Sequence, residues 1–137
     1  MTTISMSQPK NLRSQGFTLI EVMITVVIVG LLAAIAYPAY GAFLIKGNRG
    51  AAQSHMLSLA LAQSQYQADT RAFSTNLNAL VATPAAVSKW YTLTVDVAAG
   101  PPSTYIITAT PVVGSKQAPD GVLTINSGGA KSPSSKW

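Results

Sequence analysis

The sequence predicts an α+β chain in which one long N-terminal helix packs on a small antiparallel sheet of three to four strands. Three observations predict it. The longest apolar run in the chain opens at Phe17. Helical spacing persists beyond that run, between Gln53 and Ala68. After residue 90 the apolar residues switch to alternation with period two, in three short segments. A chain of 137 residues has room for one small domain and not for two.

The elements follow in order. Residues 1–16 are polar and basic, with Lys10 and Arg13 just ahead of the apolar run. Positive charge at that place keeps a leader on the cytoplasmic side of a membrane. Residues 17–45 read FTLIEVMITVVIVGLLAAIAYPAYGAFLI. The part from Phe17 to Ala36, at about 1.5 Å per residue, just crosses a hydrocarbon core of about 30 Å. A secretory signal is cut after its apolar region. Here the small residue, Gly16, precedes it, so cleavage there would discard the charged leader and keep the hydrophobic helix. Gly30 and Pro38 are the candidate helix breaks, because Pro38 has no N–H and its ring crowds the carbonyl of Ala34.

Residues 46–137 form the amphipathic second half of the helix and a globular head. Ala52, Met56, Leu59 and Tyr66 recur at helical offsets and predict a stripe packed on the head. The stretch from Arg71 to Ser88, with Asn76, Asn78 and Pro84, reads as a connection. In YTLTVDV, Tyr91, Leu93, Val95 and Val97 alternate with Thr92, Thr94 and Asp96, which predicts a strand with one buried face. Gly100 to Ser103 reads as a turn. Tyr105–Thr110 is a second strand, Pro111–Gly121 a loop and Val122–Asn126 a third strand. A polar tail begins at Gly128 and ends at Trp137.

Composition narrows the function. Hydrophobic residues make up 48% of the chain and charged residues only 9%, the profile of a membrane-anchored chain with a modest polar head. The net charge is +5, and part of it belongs to the leader. The chain has no cysteine, one histidine and four acidic residues far apart in sequence, a poor supply for catalysis. His55 sits on the amphipathic helix and reads as packed or solvated. No Cys/His cluster suggests zinc. No glycine-rich loop follows a strand to cradle phosphate. DGVLTINSGG lacks the carboxylates of a calcium loop. Neither an enzyme nor a cofactor is expected.

The single glutamate, Glu21, lies inside the apolar run, where a charge costs about 2.5–3.5 kcal/mol or more near a helix centre. The sequence Gly16-Phe17-Thr18-Leu19-Ile20-Glu21, between a basic leader and a membrane-length helix, resembles the processing motif of type IV prepilins. The resemblance implies that a membrane-bound prepilin peptidase cuts between Gly16 and Phe17 and methylates the new amino terminus of Phe17. Glu21 lies four residues, one helical turn, after that amine. In a filament of packed helices its carboxylate can face the amine of a neighbour, and the attraction is far stronger at low dielectric than in water. The cost of an unpaired charge in the membrane then favours assembly.

The resemblance extends, more loosely, into the head. Tyr91–Val95, Tyr105–Pro111, Gly121–Ile125 and the final Trp137 are similar to the sheet segments and tail of PilE-type minor pilins. Such pilins place cysteines where this chain has Asp120 and Lys136, so an Asp120–Lys136 pair is the candidate replacement for a disulfide. The implied function is a minor subunit of a type IV pilus serving biogenesis, twitching, adhesion or DNA uptake. Its partners would be other pilin subunits, the peptidase and an inner-membrane assembly platform. Before assembly the chain would sit in the inner membrane with its head in the periplasm, and afterwards in the extracellular pilus. Two alternatives stay open. One is a pseudopilin of type II secretion, which shares the N-terminal motif. The other is direct DNA contact through Lys116, Lys131, Lys136 and Trp137, with the indole stacking on a base.

Overall fold

The computed structural model describes residues 16–137. The expected leader, with Lys10 and Arg13, therefore lies outside the described residues except for Gly16. Helix α1 runs Leu19–Thr70. Thr18 starts it: its hydroxyl accepts the backbone N–H of Glu21 at 3.3 Å, while the Thr18 N–H reaches back to the Glu21 carboxylate at 3.5 Å. This reciprocal pattern is a capping box, which satisfies backbone donors left over at a helix start. The chain divides into two compact units, one ending at Pro38 and one spanning Ala39–Trp137.

The helix is unbroken through Gly30 and Pro38, which corrects the expected break. A proline removes one backbone hydrogen bond, and the bonds on either side keep the chain helical. In the first unit α1 is apolar apart from Glu21 and Thr25, and Leu19, Ile20, Val22, Met23, Val26 and Leu31 are all more than half exposed. This segment is long and apolar enough to cross a membrane.

In the second unit α1 becomes one-sided. Ala52, Met56 and Leu59 are fully buried against the head, as the periodicity predicts. Tyr66 is not part of the stripe and stays exposed; Gln63 takes the inward position. Its side-chain amide is held from both ends, donating to the Ser74 carbonyl at 2.7 Å and accepting the Ser74 N–H at 2.8 Å. A buried glutamine paired in this way leaves neither its nitrogen nor its oxygen unmet. The helix ends on Arg71 at φ 60°, a left-handed position more often given to glycine.

The connection after α1 contains two short helices, α2 (Leu77–Leu80) and α3 (Ala85–Ser88). Asn76 caps α2 by accepting the Ala79 N–H at 3.2 Å. The strands β1 (Tyr91–Ala98), β2 (Thr104–Pro111), β3 (Leu123–Asn126) and β4 (Lys131–Ser132) form one antiparallel meander in the order β1-β2-β3-β4. Period-two alternation sets the core face: Tyr91, Tyr105, Ile107, Ala109, Leu123 and Ile125 are buried with the α1 stripe, Leu77 and Val87. Phe73 closes one side, edge-on to Tyr105 with ring centroids 4.7 Å apart. The expected loop from Pro111 to Gly121 carries a 3₁₀ turn at Ala118–Asp120, and the expected polar tail contributes β4 and a 3₁₀ turn at Ser134–Lys136.

Candidate assembly and binding sites

The first candidate site is the start of α1. Phe17 is 84% exposed and Glu21 is exposed beside it. Thr18 is the neighbour of the Glu21 carboxylate, through contacts at 3.5 Å from its N–H and its hydroxyl. Among the described residues no cation pairs with Glu21. The carboxylate is therefore oriented by the capping box and still open to a positive group. Thr25 donates to the Glu21 carbonyl at 2.7 Å, so that carbonyl also has a partner. The T-x-x-E pattern is legible in the sequence as a capping box, and reading Glu21 for its charge alone missed Thr18.

The second site is a polar cluster at the head end of α1. Asp120 is buried, and its carboxylate accepts from Arg49 at 2.9 Å, from the Tyr91 hydroxyl and from the Gln117 amide at 3.2 Å. Gln117 is fully buried and also donates to the Ile45 carbonyl at 3.0 Å, while Asn48 donates to its side-chain oxygen at 3.1 Å. The cluster thus joins α1, the start of β1 and the turn before β3. Burial, then the hydrogen bond to Asp120, pushes the Tyr91 hydroxyl far above the usual tyrosine range, so it remains a donor.

Asp120 and Lys136 are brought together, but not as an ion pair. The Lys136 ammonium donates to the backbone carbonyl of Asp120, and the carboxylate belongs to Arg49. Gln53 of α1 donates to the Lys136 carbonyl at 2.6 Å, fixing the tail from the other side. The expected salt bridge is corrected to Arg49–Asp120. Arg49 escaped the sequence reading because a contact across 71 positions leaves no local signal.

The candidates for DNA contact separate. Lys116 and Lys131 are exposed, whereas Lys136 and Trp137 are half-buried. Lys136 is committed to Asp120, the Trp137 indole N–H donates to the Ser132 carbonyl at 3.3 Å, and the Lys131 ammonium sits 4.9 Å from the centre of its ring. Base stacking on Trp137 would have to displace that lysine. A second pairing of the same kind was not anticipated: Lys89 lies 5.1 Å over the ring of Trp90. Val112 donates to the Trp90 carbonyl at 2.9 Å, which puts the loop carrying Lys116 at the same end of the sheet.

His55 is buried on α1, and its Nε2 has no hydrogen-bond partner. Burial lowers its pKa below the ordinary 6.5, so it is neutral at pH 7. Among the described residues no group of three His, Asp or Glu converges as a metal site would need.

Comparison with known proteins gives a consistent pattern. Residues 11–37 match the prokaryotic N-terminal methylation motif, and residues 38–122, more than half of the chain, match the family described as type IV minor pilin ComP, DNA uptake sequence receptor. The type IV major pilin protein PilA of Myxococcus xanthus is 39% identical over 64 residues, covering 47% of this chain and 29% of that protein. The type II secretion system core protein G of Klebsiella pneumoniae is 35% identical over 77 residues, covering 54% of this chain and 55% of that protein. The chain thus spans about half or less of the curated relatives it matches. A type IV pilin structure from Shewanella oneidensis superposes with a TM-score of 0.54 at 19% identity, covering 68% of this chain and 97% of that one, a likeness of fold.

Proposed function

This chain belongs to the family described as type IV minor pilin ComP, DNA uptake sequence receptor, and we propose that it is a structural subunit of a type IV pilus that enters the filament through cleavage at Gly16 and charge pairing at Glu21. In this reading a prepilin peptidase removes residues 1–16 and methylates Phe17. The chain waits in the inner membrane with its head in the periplasm, and an assembly platform passes it into the filament. Glu21 then meets the N-terminal amine of a neighbouring subunit. The observation that carries the reading is the exposed, capping-oriented Glu21 one turn after Phe17, with no cation of its own beside it among the described residues. Intact mass of the chain from sheared pili tests the processing: a mature chain starting anywhere but Phe17 overturns it. A bulky residue at Gly16 should leave the leader attached.

A second reading, DNA capture, is favoured by the description of the family as a DNA uptake sequence receptor and by the basic end of the sheet. The groups suited to phosphate are Lys89, held over Trp90, and Lys116 on the adjoining loop. Lys131 is also exposed, while Lys136 and Trp137 would contribute only if the tail released them. The test is duplex binding by the full chain at several salt concentrations. Replacing Lys89 and Lys116 by Glu should weaken binding and reduce the salt slope by about 0.9 for each phosphate that is no longer neutralised. An unchanged slope would rule out both residues. The similarity to type II secretion core protein G keeps a pseudopilus reading in view, and recovery of the chain in secretion pseudopili rather than in pili would decide for it.

A further inference from the structure

Strand β1 is one edge of the sheet, with β2 as its single strand neighbour. Val112 donates to the Trp90 carbonyl, and the register carries that phase into β1. Thr92, Thr94 and Asp96 therefore exchange backbone hydrogen bonds with β2, while the N–H and carbonyl groups of Leu93, Val95 and Val97 point out of the sheet. Strand β2 obeys the same phase: Ser127 donates to the Tyr105 carbonyl, so the odd-numbered residues of β2 bond to β3 and the even-numbered ones to β1. Among the described residues, no backbone group bonds to the outward-pointing backbone of Leu93, Val95 or Val97.

Proteins blunt an open sheet edge with a very short strand, a lysine or a proline. The far edge has all three: β4 is the two residues Lys131–Ser132, and Pro133 follows. Strand β1 has none of them; it runs eight residues in unbroken register with no Lys or Pro. A cleft of about 530 Å³ opens beside it, between Leu93 to Val95 on one wall and the 75–83 connection on the other. No charged side chain lines this cleft. Its apolar part is Leu77 with the half-buried Leu93 and Val95. Asn76 and Asn78 use their side-chain oxygens within the connection, on the Ala79 and Thr83 N–H groups at 3.2 Å each, which leaves their NH₂ groups to donate.

We propose that this cleft takes an extended, uncharged segment of a different protein, added to the sheet as a fifth strand beside β1. Free donors and acceptors recurring at every second residue are matched in register by another extended chain, which carries the same groups at the same period. The segment's apolar residues would sit at alternate positions, over the Leu77, Leu93 and Val95 side of the cleft. Asn76 and Asn78 would hold carbonyls from the opposite wall. A nucleic acid does not fit this lining, because its phosphates need cations and the cleft offers none. The β1 edge of a second copy does not fit either. Each copy carries its own 75–83 connection in front of that edge, so two such edges cannot meet.

The test uses the full chain in detergent micelles and a phage-displayed library of random segments of eight residues, the length of β1. Enriched peptides should carry apolar residues at every second position. The best of them, made synthetically, should slow hydrogen exchange at the Leu93, Val95 and Val97 amides. Val95→Pro removes an outward N–H and no ladder bond, so the chain should keep its fold and lose the peptide. N-methylation of alternate peptide nitrogens is the sharper measurement, because it leaves this chain unaltered. Methyl groups on nitrogens of one parity should weaken binding by about five- to tenfold for each hydrogen bond lost, and those of the other parity should leave it unchanged. Equal effects at both parities, protection elsewhere on the head, or no enriched peptide overturns the proposal. Protection of the same amides that rises with chain concentration alone makes a second copy the occupant, protection by a DNA duplex makes it a nucleic acid, and either result overturns the proposal too. None of these measurements requires the chain to be in a pilus, so the pilus reading stands or falls separately.

Discussion

Arg49 on α1 and Asp120 before β3 form an ion pair of 2.9 Å that ties the helix to the far end of the sheet. Both are poorly exposed, 19% and 5% for the side chains, so the pair is shielded from solvent screening. In a head without cysteine this cluster, with Tyr91 and Gln117, does the cross-linking between helix, strand and turn.

Removing one partner strands the other. Arg49→Ala leaves the Asp120 carboxylate buried with only neutral donors, and the head should lose stability near the low end of about 3–5 kcal/mol. Arg49→Lys should lose less. Chemical unfolding of the full chain in detergent, read as a double-mutant cycle with Asp120→Asn, gives the coupling between the two. A coupling near zero would mean that the pair does not hold the head together.

The proposed pairing role of Glu21 is separable from its observed role in the capping box. Glu21→Gln keeps a side chain able to complete the capping box with Thr18 but removes the charge, whereas Glu21→Ala removes both. Both variants should insert into the membrane at least as readily as the native chain, since a charge is removed from the apolar segment. If pairing with an amine drives assembly, both fall in sheared pili. Glu21→Gln recovered at the native level would show that the cap, not the charge, is what the filament needs.

His55 makes the head sensitive to acid. Its pKa is lowered from 6.5 in the folded chain by burial, so below pH 6.5 the unfolded chain takes up a proton that the folded chain refuses. Stability therefore falls as pH drops through 6.5 toward the folded value, and is unaffected by this group above it. His55→Leu should flatten that part of the profile and, by removing a buried nitrogen without a partner, leave stability at pH 7 unchanged or higher by about 1 kcal/mol. Thermal unfolding at pH 5 and pH 7.5 checks it; equal acid sensitivity in both chains would clear His55.

The tail is held by hydrogen bonds to carbonyls, not by an Asp120–Lys136 ion pair. Its order should depend little on salt, contrary to what a charge pair implies. Lys136→Met, which frees the Asp120 carbonyl, should cost about 1 kcal/mol and speed hydrogen exchange over residues 131–137. Gln53→Ala should act in the same direction. Exchange in native chain that accelerates steeply with salt would restore the ion-pair view.

The membrane-length helix, its processing motif, the buried stripe of Ala52, Met56 and Leu59, and the three principal strands were legible in the sequence, because each is written in neighbouring residues. A period of 3.6 or of 2, a small residue at a charge boundary and a glutamate one turn from Phe17 are all local facts. The capping box is equally local, with Thr18 and Glu21 at its two corners. What tertiary structure alone decided lies across long separations. Gln63 displaces Tyr66 from the core because Ser74, 11 residues on, offers its backbone to the amide. Arg49 takes Asp120 from Lys136 because helix and turn converge over 71 positions. Lys131 faces the helix and Asp96 faces away because strand register, fixed by which faces are buried, assigns every side chain to one side of the sheet. Local patterns specify elements, but a polar side chain's partner is chosen only when packing brings distant segments together, and burial then makes an unmet hydrogen bond too costly to leave.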